Sequence, residues 1–202
     1  MKNYEYIVAS LPAISTSWKF GEGTSFHTYA EEIKRLGDKA DGALVDKLLA
    51  GFEDENLDEA FYRGMAEEKN AFLRNYFAFD LNVRNAKTRY LNKALGRPAE
   101  QDVIHLGDTP FEEAERLEAV LQEKDLLSRE RALDDLMWDK ISQLTSFHYF
   151  DIDAVLGFLA KLHIIARWAE LDEQAGRARF AALVKEVQST FKGVDYHPEK
   201  TE

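Results

Sequence analysis

Residues 150–172, FDIDAVLGFLAKLHIIARWAELD, are too densely apolar to form a helix with one face in water. Val155, Leu156, Phe158, Leu159, Leu162, Ile164, Ile165 and Trp168 cover more than a narrow stripe, and charges are sparse in the middle and late turns: Lys161, Arg167 and Glu170. Such a helix is either the central element of a helical bundle or buried against another protein. Asp151 caps it, and Asp151 and Asp153 suit the positive end of its dipole.

The helical pattern extends in both directions. Short helices are expected over 28–36, ended by Gly37, and over 42–49, with Asp41 as N-cap and Gly51 as a left-handed stop. Asn56 with Glu59 reads as a capping box opening a helix to about Tyr76. Asp80 then caps 81–95, which Gly96-Arg97-Pro98 closes, and a break between the two falls at Phe77–Asp80. Thr109-Pro110-Phe111-Glu112 opens a helix to Glu123, Ser128 starts one to about His148, and 173–191 forms the last. Tyr4–Leu11, rich in aromatic and branched residues, reads as a short strand or extended arm, and 12–27 as a loop. No stretch alternates long enough to build a sheet. The expected fold is all-α: a compact multi-helix bundle with a short extended N-terminal arm. A single domain over 1–202 is expected, with a hinge near 96–108.

A chain of 202 residues buries roughly 70% of its unfolded surface and needs no metal or disulfide staple. It has no cysteine, which removes thiol catalysis, thiolate metal sites and disulfides together. No secretory signal is expected at MKNYEYIVASLP, and 155–168, interrupted by Lys161, His163 and Arg167, falls short of the ~20 apolar residues of a membrane span. A cytoplasmic location is expected. The net charge of −11 disfavours general binding to nucleic acid or anionic membranes.

The charge is unevenly placed. Residues 31–68 hold twelve acids and five bases, whereas 69–97 hold seven bases against the single acid Asp80. Within DLNVRNAKTRYLNKAL, 80–95, the side chains of Arg84, Asn85, Lys87 and Arg89 offer multiple donors suited to carboxylates or exposed helix ends of another subunit. These four are the candidate partner-binding residues. An internal network joining this helix to acidic neighbours is the alternative.

Catalytic patterns are weak. His27, His105, His148, His163 and His197 form neither a His-Glu-x-x-His nor a Glu-x-x-His pair. No Gly-x-Ser-x-Gly elbow occurs, and Asp134, Asp135 and Asp139 read as a solvated helix face. No catalytic residue, cofactor or metal is expected. A small-ligand binder or enzyme using His148, His163 and nearby acids remains an alternative, as does a homo-oligomeric helical scaffold.

Three segments carry a resemblance: YEYIVASLPAIS, FLRNYFAFDLNVRNAKTRYLNKALG and FDIDAVLGFLAKLHIIARWAELDEQAGRARFAALV. They resemble a bacterial family of uncharacterised proteins encoded among the subunits of V/A-type ATPases, itself distantly similar to the C subunit (d in the vacuolar enzyme). The likeness spans nearly the whole chain and is most specific over Asp80–Lys87. It implies a helical, non-catalytic subunit or accessory factor that meets stalk and rotor-ring subunits, possessing less length than the three-lobed C subunit.

Overall fold

Leu156, Leu159 and Leu162 are completely enclosed in the computed structural model, which describes residues 3–107, 111–171, 181–182 and 184–185. They lie on α8, Ile152–Ala169, capped by Asp151, whose Oδ1 accepts from Ala154 N at 3.0 Å. Phe158 meets Tyr29 edge-on, His163 stacks on Phe52 at 3.9 Å, and the Lys161 ammonium lies 5.0 Å from the Trp138 ring centroid. Covered from several sides, α8 is the centre of the bundle. Gly157 lets it come close to the end of the preceding helix, α7 (Leu126–Leu144), because a Cβ there would overlap the Thr145 side chain.

Eight α-helices and one 3-10 turn are found among the described residues, and no strand is; the protein is all-α. The helices are α1 (Tyr4–Ser10), α2 (Phe26–Leu36), α3 (Lys39–Ala50), α4 (Glu59–Ala66), α5 (Ala71–Ala94), α6 (Ala114–Leu121), α7 (Leu126–Leu144) and α8. Helix α2 packs on α3, α4 on α5, and α5, α6 and α7 on one another. The chain divides into two units, Met1–Ala166 and Arg167–Glu202. The first holds the core: Val45, Leu48, Tyr62, Phe72, Leu73, Phe77, Leu117, Leu136 and Ile141 join the α8 leucines. Of the second, only 167–171, 181–182 and 184–185 are described.

Several local expectations are corrected. Tyr4–Ser10 is a two-turn helix, not a strand or arm: Ile7 is buried and the Tyr4 hydroxyl donates to buried Asp41 at 2.8 Å, so tertiary contacts override strand propensity. The irregular stretch is 11–25. Asp38, rather than Asp41, caps α3, accepting from Asp41 N at 2.9 Å. Gly51 is right-handed (φ −78°, ψ −3°); glycine is required there because a Cβ would overlap the Phe77 ring. Asp58 takes the capping role assigned to Asn56, whose amide donates to Ala50 O at 2.9 Å.

The largest correction concerns the break between α4 and α5. It lies at 67–70, where Asn70 Oδ1 accepts from Leu73 N at 2.8 Å, and α5 runs unbroken through Phe77–Asp80. Nothing in Phe77-Ala78-Phe79-Asp80 obstructs a helix, and both phenylalanines are buried. Helix α7 starts two residues before Ser128, which donates to its cap Asp125 at 2.7 Å. The expected cap at Thr109-Pro110 lies outside the described residues, and so does nearly all of 173–191.

Candidate functional site

The helix singled out by its basic and amide side chains is α5, and it closes as Gly96-Arg97-Pro98 suggests. Arg97 N donates to Asn92 O at 2.8 Å and Gly96 N to Lys93 O at 3.3 Å, with Gly96 left-handed at φ +66°. This pair of bonds satisfies the last carbonyls of the helix and turns the chain back.

Residues 96–107 then run back along α5 as a strap. Asn85 Nδ2 donates to Ile104 O at 2.8 Å while its Oδ1 accepts from Ile104 N at 3.1 Å. Arg89 grips Glu100 with two bonds of 2.8 Å, Nε to Oε1 and Nη2 to Oε2. Asn92 Nδ2 donates to Gln101 O at 2.7 Å and Ala99 O at 3.2 Å. Positions 85, 89 and 92 recur at helical spacing, so one stripe of α5 supplies partners to a backbone that has no ladder of its own. Both asparagines are buried. The Arg89 bond holds the Glu100 carboxyl below its usual range and raises the guanidinium, and His105 Nε2 approaches the same carboxylate at 3.4 Å.

The other two candidates point elsewhere. Lys87 reaches Glu130 on α7 at 3.3 Å, and one turn on, Arg129 donates to the Tyr90 hydroxyl at 3.3 Å. Arg84 acts electrostatically on a pair linking α4 to α5: the Tyr62 hydroxyl donates to Asp80 Oδ2 at 2.6 Å. Burial drives both groups' pKa upward, most strongly, and Arg84 opposes the rise in each. Arg84, Asn85, Lys87 and Arg89 therefore serve three separate contacts and do not converge on one open face. Glu100, the anion that engages Arg89, is a residue the sequence reading missed; an Asn-Arg-Asn stripe before a loop with an acid was the available signal.

Between α4, α5 and the strap lies a cleft of about 260 Å³, lined by Tyr62, Ala66, Arg74, Asn82, Asn85 and Ile104 among others. The Arg74 guanidinium donates to Glu68 O at 2.6 Å and Lys69 O at 3.3 Å, which pins it to the α4–α5 turn.

His148 and His163 do not share a site. His148 Nδ1 lies 2.6 Å from Asp151 Oδ2 and its Nε2 3.9 Å from Asp153 Oδ2, and the Asp151 bond raises its pKa. Asp153 in turn accepts from Asn70 Nδ2 at 2.5 Å, so these groups tie the start of α5 to the start of α8. His163 belongs to the aromatic stack with Phe52 and Phe26.

The model of a family described as "Protein of unknown function (DUF2764)" matches residues 46–190. The chain belongs to that family. Within the family's span fall the strap, the cleft and the Asn70–Asp153 link, together with all of α4 to α8. No curated protein and no solved structure matches the chain.

Proposed function

We propose that this DUF2764 protein is a non-catalytic subunit or accessory factor of a V/A-type ion-translocating ATPase, acting on the cytoplasmic side against stalk and rotor-ring subunits. The reading is carried by the likeness of its N-terminal, α5 and α8 segments to the ATPase-associated family, an implication with which the all-helical fold agrees. A structural task for the ionisable groups supports the non-catalytic part. Tyr62 with Asp80, Lys47 with Glu68, Arg89 with Glu100 and His148 with Asp151 each join two elements or fasten a loop. No helix among the described residues is long and apolar enough to cross a membrane, so association would run through other subunits. In this proposal Arg84, Asn85, Lys87 and Arg89 support partner binding by holding α4, α7 and the strap against α5 rather than by forming one open face.

Purification of the native complex through a tag on this chain tests the reading. Co-purification of stalk or ring subunits in fixed proportion is the expected result. Their repeated absence, under conditions that keep the ATPase intact, would refute it. The cleft beside Tyr62 favours a second reading, a small-ligand binder, for which a ligand protecting the chain from thermal unfolding through Asn82 would be the decisive observation.

A further inference from the structure

One stripe of α5 forms the floor of the cleft beside Tyr62. Arg74, Ala78, Asn82 and Asn85 follow at intervals of four, four and three residues, so they stand in one row, and all four line the cleft. Helix α4 walls one side with Tyr62 and Ala66, and the strap walls the other with Ile104 and Leu106. The row is polar at both ends and apolar between them. Ala78 is its shortest side chain, which leaves room above the helix, and Leu81 lines the same stretch.

Two of the polar lining groups are already engaged: the Tyr62 hydroxyl donates to Asp80, and both ends of the Asn85 amide serve Ile104. Two half-buried ones have bonding capacity to spare. Both hydrogen bonds of Arg74 come from Nη1, so its Nε and Nη2 donate to nothing among the described residues. The Asn82 amide makes no hydrogen bond there either. A half-buried polar group without a protein partner is satisfied by water or by a ligand. At 1.5 Å per residue, the eight steps from Arg74 to Asn82 separate the two positions by about 12 Å along the helix.

We infer that this cleft binds a small, mostly apolar carboxylate with a hydroxyl at its far end, the carboxylate on Arg74 and the hydroxyl on Asn82. The edge of a guanidinium formed by Nε and Nη2 matches a planar carboxylate, and Arg89 uses that same edge on Glu100. The Asn82 amide can donate to a hydroxyl or accept from it. Between them the apolar body lies on Ala78 and Leu81, against Ile104 and Leu106. Preference for a carboxylate rests on these direct bonds and not on the surrounding field. Exposed Glu67 and Lys47-bound Glu68 stand close to Arg74 in sequence, and neither lines the cleft. The volume of about 260 Å³ lies below the ~300–1,000 Å³ of sites for drug-sized molecules, which restricts the occupant to a single ring or short chain. The inference rests on the small-ligand reading of this cleft and gives it a chemical class.

The test titrates three probes into the isotope-labelled full chain and follows backbone amides by NMR: para-hydroxyphenylpropionate, its primary amide, and phenylpropionate. The first should give saturable shifts at Ile104, Leu106 and Gly107 of the strap. The primary amide should bind at least about tenfold more weakly, because the charge-assisted bond to Arg74 is lost. Phenylpropionate, which lacks the hydroxyl, should bind about threefold to tenfold more weakly. Arg74→Gln should bring the carboxylate and its amide within about threefold of each other, and Asn82→Leu should do the same for the two carboxylates. Ala78→Leu, which fills the middle of the row, should abolish binding of all three. If Arg74→Gln melts early in circular dichroism, through loss of its bonds at the α4–α5 turn, the three probes on the wild-type chain decide without it. Equal binding of the carboxylate and its amide within the cleft overturns the inference and leaves the small-ligand reading standing. No saturable shift with any probe up to about 10 mM, or shifts that Ala78→Leu leaves unchanged, also overturns it.

Discussion

Replacing Asn85 with Ala should release the strap from α5 while leaving the bundle folded. The wild-type amide makes two bonds to one residue, 2.8 Å to Ile104 O and 3.1 Å from Ile104 N, and is itself only 9% exposed. A hydrogen bond contributes about 0.5–1.5 kcal/mol net, so losing two costs roughly 1–3 kcal/mol. Ile104 is half-buried, which lets water reach its freed backbone groups and keeps the cost near the middle of that range, about 2 kcal/mol. Asn92 and Arg89 still hold the strap at 99–101, so the loss concentrates at 103–107. Native-state amide exchange reads it directly: the Ile104 N–H should exchange on the order of thirtyfold faster, whereas core amides of α8 change little. An acceleration of Ile104 below about threefold would show that Asn85 does not hold the strap. Equal acceleration throughout α8 would show that the strap does not open separately.

Leu159→Ala, at a site with no exposure, should cost about 2–5 kcal/mol in urea unfolding; a loss below about 0.5 kcal/mol would contradict the central placement of α8. Gly51→Ala should destabilise by about 1–3 kcal/mol, despite the better backbone propensity of alanine, because its methyl meets the enclosed Phe77 ring; an unchanged urea midpoint would refute that contact. The bond to Asp151 raises His148's folded pKa, so its stabilisation is complete below the unfolded value of about 6.5 and is lost as pH rises through the folded one. Thermal midpoints from about pH 6 to about pH 8 should therefore decline less in His148→Gln than in wild type, and parallel profiles would remove the linkage.

Helix α8 is legible in the sequence because its apolar density and the Asp151 cap point to the same element. The end of α5 is equally legible, since Gly96 before Arg97-Pro98 leaves the chain few ways to continue. The start of α5 is harder to see: Asn70 is the cap, but Asp80 has the same chemistry, and only burial of Phe77 and Phe79 decides between them. Asp80 is drawn mid-helix by the Tyr62 hydroxyl, a contact eighteen residues away that no local signal reports. For the same reason the basic and amide positions of α5 are recognisable as important while their partners are not. Arg89 finds Glu100 and Asn85 finds Ile104 through a loop path that composition does not specify.

Helix α5 spans 24 residues, which at 1.5 Å each is about 36 Å of continuous rod. Its two ends are fastened differently. At one, Asn70 is tied to Asp153 on the central helix; at the other, Leu91 and Leu95 stand open beside Lys93. Packed interiors yield little to compression, so a load applied at the open end passes along the rod to the helices packed against it and to Asn70. The helix is a stiff rod borne by its packed neighbours as well as by Asn70, and stiffness measured by single-molecule pulling between positions 95 and 70 should exceed that between either position and the strap.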